Sequence, residues 1–229
     1  MVIILTKDKE SEVWFSITPV TQMQWAHFIR SGEFFRDEYW GQTPGQNRTN
    51  RKGGDEILRR TFNWQARNLA LENVSWYEAV AFTRGVGGRL PWYDELKRWM
   101  ATPQRVFGIR LHNRHVNNCK TIVGRYRAFY SEANARWSKA GALIEENVGE
   151  WCENDFNSFS TARGARPEPP ERKVVLNHSE TAISPTSDSK KIGFRVVVES
   201  LKLQDCQVSV ERITDAKSQF AILKYRSPR

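Results

Sequence analysis

The sequence predicts an α+β fold with short helices, a small twisted sheet and little regular secondary structure. Two capping boxes, in which Ser or Thr is followed three residues later by Glu or Gln, mark helix starts at Thr21 and Ser75. Alternating apolar residues near 13–17 and 192–199 indicate two strands. The nine tryptophans among 229 residues indicate a loop-rich fold that large side chains hold together.

The first predicted strand is followed directly by the first predicted helix. Apolar residues alternate over Val13–Ile17, and Pro19 ends the strand. The helix begins after Thr21, because the side chains of Thr21 and Gln24 can each accept a hydrogen bond from the other residue's backbone N–H. Gly32 is placed to end this helix. The apolar stripe has the spacing i, i+3, i+4 and consists of Trp25, Phe28 and Ile29.

Two further helices are predicted in the next third of the chain. Ser75 and Glu78 form the second capping box, and Gly87 and Gly88 end that helix. Its inward face consists of Ala79, Phe82 and Val86. A third helix covers Tyr93–Met100, with an apolar stripe of Leu96, Trp99 and Met100. Two main helices are expected to flank the sheet.

Two long segments have compositions that predict loops. Residues 36–68 are mostly polar and rich in glycine, which predicts a long surface excursion. Residues 157–190 are rich in Pro and Ser and are also predicted to be loop.

The end of the sequence predicts three strands. Ile192–Glu199 is predicted to be a strand, and Gly193–Val198 is expected to pair with Val13–Ile17. Two short strands, Gln207–Arg212 and Phe220–Lys224, are predicted to flank a polar turn. The sequence therefore divides into one domain, residues 1–200, and a C-terminal extension, residues 201–229, which could extend the sheet or bind a partner.

Charge and cysteine content restrict the function classes. Lys and Arg number 35 against 26 Asp and Glu, a net charge of +9, which permits an anionic partner such as nucleic acid but is equally typical of an ordinary basic protein. The three cysteines are far apart and have no C-x-x-C spacing, so they predict neither a disulfide framework nor a structural zinc site. Val2–Leu5 is too short for a signal-peptide core, and no apolar run is long enough to cross a bilayer. A cytoplasmic protein without membrane contact is expected.

Five segments carry a recognisable pattern: Thr18–Thr21 with Trp25 and Phe28, Asn73–Phe82, Gly88–Pro91 with Glu95, Asn147–Trp151, and Ser184–Val197. In this order they resemble the family motifs EVTNAQYxxF, VSWYDAVAYC, GxRLPTEAEWE, GNVWEW and SxxxxxIGFRVV. These motifs are typical of the formylglycine-generating enzyme (sulfatase-modifying factor) family, a branch of the C-type-lectin-like fold. The resemblance covers residues 12–198 and implies that fold.

The sequence departs from the family pattern at the family's catalytic residues. Members with activity have, before the final motif, two cysteines that bind copper and oxidise a substrate cysteine. Thiolates are the soft ligands that Cu(I) requires, and this chain has no cysteine from Glu153 to Glu199. The histidine-bearing helical domain of the related sulfoxide synthases is also not present in the sequence. The resemblance therefore implies a pseudoenzyme without catalytic residues or a catalytic cofactor.

Trp92 is a second departure from the family. It occupies the position of the family's threonine that caps the third helix. Loss of that cap is expected to cost about 1 kcal/mol of helix stability.

Three candidate metal or thiol sites remain. Glu150 matches a family carboxylate that helps hold a structural calcium, so Asn147 and Glu150 are candidate calcium ligands, although both could equally make structural hydrogen bonds. His112, His115 and Cys119 have the spacing H-x-x-H-x-x-x-C, but the surrounding asparagines favour a loop over the helix that metal binding would need. Cys152 is expected to be a buried, inert thiol.

Residues 101–140 are the candidate nucleic-acid interface. They carry eight basic residues and one acid, a net charge of +7, interleaved with aromatic residues that could stack on bases. The alternative is that the aromatic residues belong to the core and the charges form a solvated face. The candidate contacts are Arg105, Arg110, Arg114, Lys120, Arg125, Tyr126, Arg127, Arg136 and Trp137.

The function expected from these observations is a non-catalytic recognition or scaffold module. It would bind a protein partner within a larger bacterial assembly or regulatory system, since a stable core can carry variable loops for recognition. A small-molecule substrate is not expected. Two alternatives stay open: a nucleic-acid-binding accessory protein that uses residues 101–140, and a divergent metal-dependent oxidase that uses Cys119, Cys152 or Cys206.

Overall fold

A computed structural model describes most of the segments that match the family motifs. The described residues are 2–7, 12–40, 58–59, 70–101, 135–137, 143–145, 149–155, 172–176, 179–187, 191–199, 209–215 and 218–224. They form helices and sheets, in agreement with the predicted α+β class.

Three α-helices lie in the described part of the chain: α1 (Gln22–Arg30), α2 (Trp76–Gly85) and α3 (Tyr93–Ala101). Two short 3-10 helices, Glu33–Phe35 and Asp37–Tyr39, follow α1. Because α3 has the same length as α1, the expectation of two main helices is corrected to three within the described residues. None of the helices seen here combines the length and the apolar surface that crossing a membrane requires.

Both predicted capping boxes are confirmed. Thr21 Oγ1 accepts the N–H of Gln24 at 3.2 Å, and Gln24 Oε1 accepts the N–H of Thr21 at 2.8 Å. At α2, Glu78 accepts hydrogen bonds from both the N–H and the hydroxyl of Ser75, at 2.7 and 2.9 Å. Gly32 follows α1 in a left-handed conformation with φ of 84°, as its predicted role in ending the helix requires.

Eleven strands are described in chain order: β1 (Val2–Lys7), β2 (Val13–Ser16), β3 (Ala135–Trp137), β4 (Leu143–Glu145), β5 (Gly149–Asp155), β6 (Arg172–Leu176), β7 (Ser179–Ile183), β8 (Ile192–Gly193), β9 (Val197–Glu199), β10 (Ser209–Asp215) and β11 (Ser218–Lys224). One sheet has the order β10-β11-β1-β2-β9, and a second has the order β7-β6-β5-β8. The hairpin β3-β4 is separate from both sheets.

The predicted pairing of the strands near residues 13 and 198 is confirmed. β2 and β9 are antiparallel, with Trp14 opposite Val198 and Phe15 opposite Val197. The predicted single strand Ile192–Glu199 is instead two strands: β8 pairs with β5 in one sheet, and β9 pairs with β2 in the other. This segment therefore crosses from the four-stranded to the five-stranded sheet.

The prediction that residues 157–190 form only loop is wrong. β6 and β7 lie in this range and form an antiparallel hairpin on β5. The composition of the whole segment concealed the local run Lys173–Leu176, which has the apolar, β-branched character of a strand.

The prediction that residues 36–68 form a surface loop is wrong for the first residues of this range. Trp40 is buried, and its indole N–H donates to the carbonyl oxygen of Phe34 at 2.7 Å. The described residues 36–40 are thus anchored to the core, whereas most of the predicted excursion lies outside the described residues.

The predicted C-terminal strand pair is confirmed, with strand bounds that differ by a few residues. β10 and β11 form an antiparallel hairpin in which Asp215 is opposite Ser218. β11 also pairs with β1 over five residue pairs, so the hairpin extends the sheet at β1.

The core lies on both faces of β2. Trp14 packs with the helices α1 and α2, whereas Phe15 packs with Tyr93, Leu96 and Trp99 of α3. The strand is consequently buried on both faces. Its alternating side chains enter two different parts of the core, and neither face is exposed to solvent.

Candidate functional site

Glu150, the candidate calcium ligand, lies on β5 and is buried. Its carboxylate accepts two hydrogen bonds from the fully buried guanidinium of Arg195, from Nε at 2.5 Å and from Nη2 at 2.6 Å. Such a two-point charge-assisted pair is among the strongest hydrogen-bonding arrangements in proteins. The geometry favours the structural hydrogen bonds that the sequence left open as the alternative to calcium.

Arg195 also contacts two other parts of the fold. Its Nη1 donates to the carbonyl oxygen of Ser16 on β2 at 3.2 Å. Its guanidinium carbon lies 5.2 Å from the ring centre of Trp99 on α3, which is a cation–π distance. The positive charge is therefore compensated on several sides, as a buried ion requires.

Of the other predicted metal and thiol residues, only Cys152 lies within the described residues. Cys152 is fully buried on β5, as predicted. Asn147, His112, His115, Cys119 and Cys206 lie outside the described residues. Within the described part of the chain, no cluster of three or more His, Cys, Asp or Glu side chains is arranged to hold a metal ion.

The predicted nucleic-acid contacts are almost all outside the described residues. Arg136 and Trp137 belong to β3, of which the backbone is described. The remaining seven residues of that set lie in ranges that the structure does not describe. Nucleic-acid binding through residues 101–140 stays a prediction.

Trp92 is the residue that the sequence singled out as a missing helix cap, and it is exposed. It immediately precedes α3, and 44% of its surface is accessible. Half of a capping box remains, because Glu95 Oε2 accepts the N–H of Trp92 at 2.9 Å. The indole has no oxygen with which to accept an N–H from the first turn in return.

Cationic groups surround the residue after Trp92. The Nζ atoms of Lys97 and Lys173 lie 5.6 and 5.0 Å from the ring centre of Tyr93. Lys97 is exposed on α3, and Lys173 lies on β6. We call the group Trp92, Tyr93, Lys97 and Lys173 the Trp92 surface.

The Trp92 surface adjoins the start of the segment that has no cysteine. The N–H of Glu153 donates to the carbonyl oxygen of Pro91 at 2.9 Å, which joins β5 to the turn before α3. Lys173 belongs to the same segment and contacts Tyr93. Sequence reasoning identified Trp92 only as a cost to the helix, whereas its exposure, and the contacts that its neighbours Pro91 and Tyr93 make with β5 and β6, depend on the tertiary structure.

A partly buried network of ion pairs also fixes α3 in place. Arg89 donates from Nη1 and Nη2 to the two oxygens of Glu95, at 2.7 and 2.8 Å. Burial of Arg89 opposes its charge, but hydrogen bonds and charge from Glu95 and Glu199 outweigh burial, and the pKa of Arg89 is raised above its ordinary value. The guanidinium thus stays charged and holds Glu95 against the turn that carries Trp92.

Comparison with known proteins agrees with the family resemblance of the sequence motifs. Residues 9–200 match the family model described as the sulfatase-modifying factor enzyme 1-like domain. The chain belongs to the sulfatase-modifying factor family. No curated protein is similar enough in sequence to match it.

The sulfatase-modifying factor domain includes the three helices and the strands β2–β9. The strands β1, β10 and β11 lie outside the matched residues, yet they form three of the five strands of the larger sheet. The Trp92 surface and the Glu150–Arg195 pair both lie inside the matched domain.

Removal of one partner of the buried ion pair is expected to destabilise the sulfatase-modifying factor domain strongly. Arg195→Met should lower the free energy of unfolding by about 3–5 kcal/mol, since Glu150 would remain buried without a counter-charge. The double variant Glu150→Met with Arg195→Met should recover part of this loss. Urea unfolding of both variants measures the effect, with exposed Lys191→Ala as a control that should change stability by less than about 0.5 kcal/mol.

Thermal unfolding in the presence and absence of calcium distinguishes a Glu150–Arg195 ion pair from a calcium site at Glu150. Added calcium or a chelator should leave the melting temperature of the wild-type chain unchanged. A rise with calcium that Glu150→Gln abolishes would show that Glu150 is a calcium ligand.

Two substitutions of Trp92 test whether α3 lacks a stabilising N-terminal cap. Both Trp92→Thr and Trp92→Ala remove the indole, but only Thr can accept an N–H from the first turn of the helix. The Thr variant should therefore be more stable than the Ala variant by about 1 kcal/mol, measured by urea unfolding. Equal stability of the two variants would show that α3 needs no cap at residue 92.

Proposed function

We propose that this chain is a non-catalytic recognition module that binds a protein partner within a larger bacterial assembly or regulatory system. The module has a C-type-lectin-like fold and acts in the cytoplasm as a pseudoenzyme of the sulfatase-modifying factor family. The observation that carries the proposal is the exposure of Trp92. The turn that contains Trp92 contacts the segment Glu153–Glu199, which has none of the cysteines that the family's copper-dependent oxidation needs.

The sequence and the packing support a role without catalysis. No cysteine occurs from Glu153 to Glu199, and part of this range is the β6-β7 hairpin. Cys152 has no exposed surface, so a substrate could not reach its thiol without local unfolding. The core beneath retains hydrogen bonds to its buried tryptophans, since the indole N–H groups of Trp76 and Trp151 donate to backbone carbonyls at 2.9 and 2.8 Å.

The Trp92 surface has the character of a protein-binding site. Tryptophan is enriched among the few residues that contribute most of the energy of protein–protein interfaces. Trp92 also occupies a position where the family pattern has a helix cap, so its presence costs stability locally. Residues that break a local structural rule without a compensating contact are characteristic of functional positions.

A partner that binds at this surface should depend on the indole. Trp92→Ala should weaken partner binding by at least roughly thirtyfold, because truncation of an aromatic hot-spot residue costs about 2 kcal/mol or more. The matched control is Met23→Ala, since Met23 is a large apolar side chain of similar exposure, 42%, on α1. Binding is first detected by capture from the native host, with proteins quantified by mass spectrometry, and is then measured with the purified partner.

Three outcomes separate this function from the alternatives. Equal capture of the same proteins by the Trp92→Ala and wild-type chains would contradict a binding role for the Trp92 surface. Oxidation of a cysteine-containing peptide with added copper, lost when Cys119, Cys152 and Cys206 are changed to Ser, would show a divergent oxidase. Salt-dependent binding of oligonucleotides that is lost when basic residues in 101–140 are replaced would favour the nucleic-acid alternative, which the charge of +7 supports.

A further inference from the structure

We propose that the outer edge of β10 binds an extended segment of another protein, which adds to the five-stranded sheet as an antiparallel strand. The segment has an acidic residue opposite Arg212, a basic residue opposite Glu211, and apolar residues opposite Val210 and Ile213. This inference goes beyond the proposed function, because it assigns a second surface in the C-terminal extension and makes no use of Trp92.

β10 is an edge strand that is open to pairing. Within the described part of the chain it pairs with β11 alone, at one end of the sheet. Its seven residues are opposite seven consecutive residues of β11, with no register shift, and none of them is proline. Alternate residues of an antiparallel strand direct their N–H and C=O groups to opposite sides, so part of these groups points to the open edge. Short strands, bulges and prolines commonly prevent pairing at an edge, and β10 has none of these features.

The other described edge strands are shorter or partly covered. β9 has three residues, and Arg89 exchanges two backbone hydrogen bonds of 2.9 Å with Val197 at this edge. β8 has two residues and β7 has five. Among the described edges, β10 therefore offers a partner strand the most backbone donors and acceptors.

The edge is attached to the core through two neighbouring strands. β11 pairs with β1 over five residue pairs, and Ile3 and Leu5 of β1 are buried in the main core. All strand pairs in this sheet are antiparallel. A segment that continues this pattern meets a strand that is already formed, so binding requires ordering of the segment alone. Addition of a strand to such an edge is a recurring mode of peptide recognition.

The charges of β10 oppose pairing with a second copy of this chain. Symmetric antiparallel pairing turns about one central residue, and three choices of that residue bring five or more residues of each β10 into register. Centres at Arg212 and at Glu211 place each of these residues opposite its own copy. A centre at Ile213 places Glu211 opposite Asp215. Like charges directly opposite each other destabilise a strand pair, so the charge order favours a different protein.

Two labelled peptides of the same composition test this assignment with the full chain. Paired antiparallel over β10, Lys-Thr-Val-Glu-Lys-Val-Thr sets Glu opposite Arg212 and Lys opposite Glu211, whereas Lys-Thr-Val-Lys-Glu-Val-Thr sets like charges opposite both residues. Fluorescence anisotropy at low and physiological salt measures binding. The first peptide should bind about fivefold to tenfold more tightly, since two cross-strand pairs change from attraction to repulsion in the second. Equal affinity of the two peptides, or no binding of either, would overturn the proposal.

An exchange of the two charges in the chain is the matched variant. Glu211→Arg combined with Arg212→Glu keeps the composition and the net charge of the chain, and should reverse the preference between the two peptides. Circular dichroism and urea unfolding confirm that the variant is folded. An unchanged preference would show that the peptides bind elsewhere and would refute the assignment to β10.

Backbone methylation of the first peptide separates strand addition from binding by side chains alone. One variant peptide is N-methylated at its second, fourth and sixth residues, and another at its third and fifth. Only one of these two sets of N–H groups faces β10 in an antiparallel pair. One variant should therefore lose affinity about tenfold or more, while the other retains most of it. Similar losses for both, or for neither, would contradict strand addition.

The outcomes remain distinct from those of the proposed function. A partner that depends on Trp92, with no binding of either peptide, would refute the β10 edge and leave the recognition role of Trp92 intact. Peptide binding that follows the charge exchange, with no partner that depends on Trp92, would retain the β10 edge and refute the Trp92 surface. A dimer in sedimentation that the first peptide dissociates would show that a second copy occupies the edge, which would overturn the inference.

Discussion

The guanidinium of Arg195 is fully buried where the two sheets meet. It pairs with Glu150 in the four-stranded sheet and donates to Ser16 in the five-stranded sheet. The chain around it crosses between the sheets, since β8 belongs to one and β9 to the other. A buried charge is costly unless every donor has an acceptor, so this position constrains β2, β5 and the residues between β8 and β9 at once.

The same constraint reaches α3 and hence the Trp92 surface. Trp99 of α3 lies under the Arg195 guanidinium and stacks on Phe15 of β2, with ring centres 4.7 Å apart. The turn before α3 is held by Arg89, whose backbone exchanges two hydrogen bonds with Val197 at 2.9 Å. These contacts fix the position of α3, and Trp92, the exposed residue that immediately precedes the helix, is fixed with it.

The strands outside the family match change the edge of the larger sheet. β1 pairs with β2, β11 pairs with β1, and β10 pairs with β11, so the strands outside the family match extend the sheet by three strands. Ile3 and Leu5 of β1 are buried in the main core, which makes β1 part of the domain's packing rather than an appendage. The two edges of the sheet are consequently β10 and β9.

The sequence by itself determined the elements whose cause is local. A capping box depends on four consecutive residues, so the starts of α1 and α2 could be predicted without knowledge of the rest of the fold. The pairing of β2 with β9 was also predicted, because pairing of the first and last strands of a domain brings its two ends together. β6 and β7 were missed, since the Pro- and Ser-rich composition of residues 157–190 outweighed the short strand pattern at Lys173–Leu176.

Only the tertiary structure decided what the candidate site residues do. Glu150 and Arg195 are 45 residues apart, and nothing in the sequence near Glu150 indicates that its carboxylate is bound by a guanidinium. Trp92 could be recognised from sequence as a poor cap, but its exposure, and the contact of the next residue Tyr93 with Lys173, depend on how β6 packs against α3. The physical reason is the same in both cases: hydrogen bonds within one helical turn are encoded locally, whereas burial and charge pairing are properties of elements brought together by the fold.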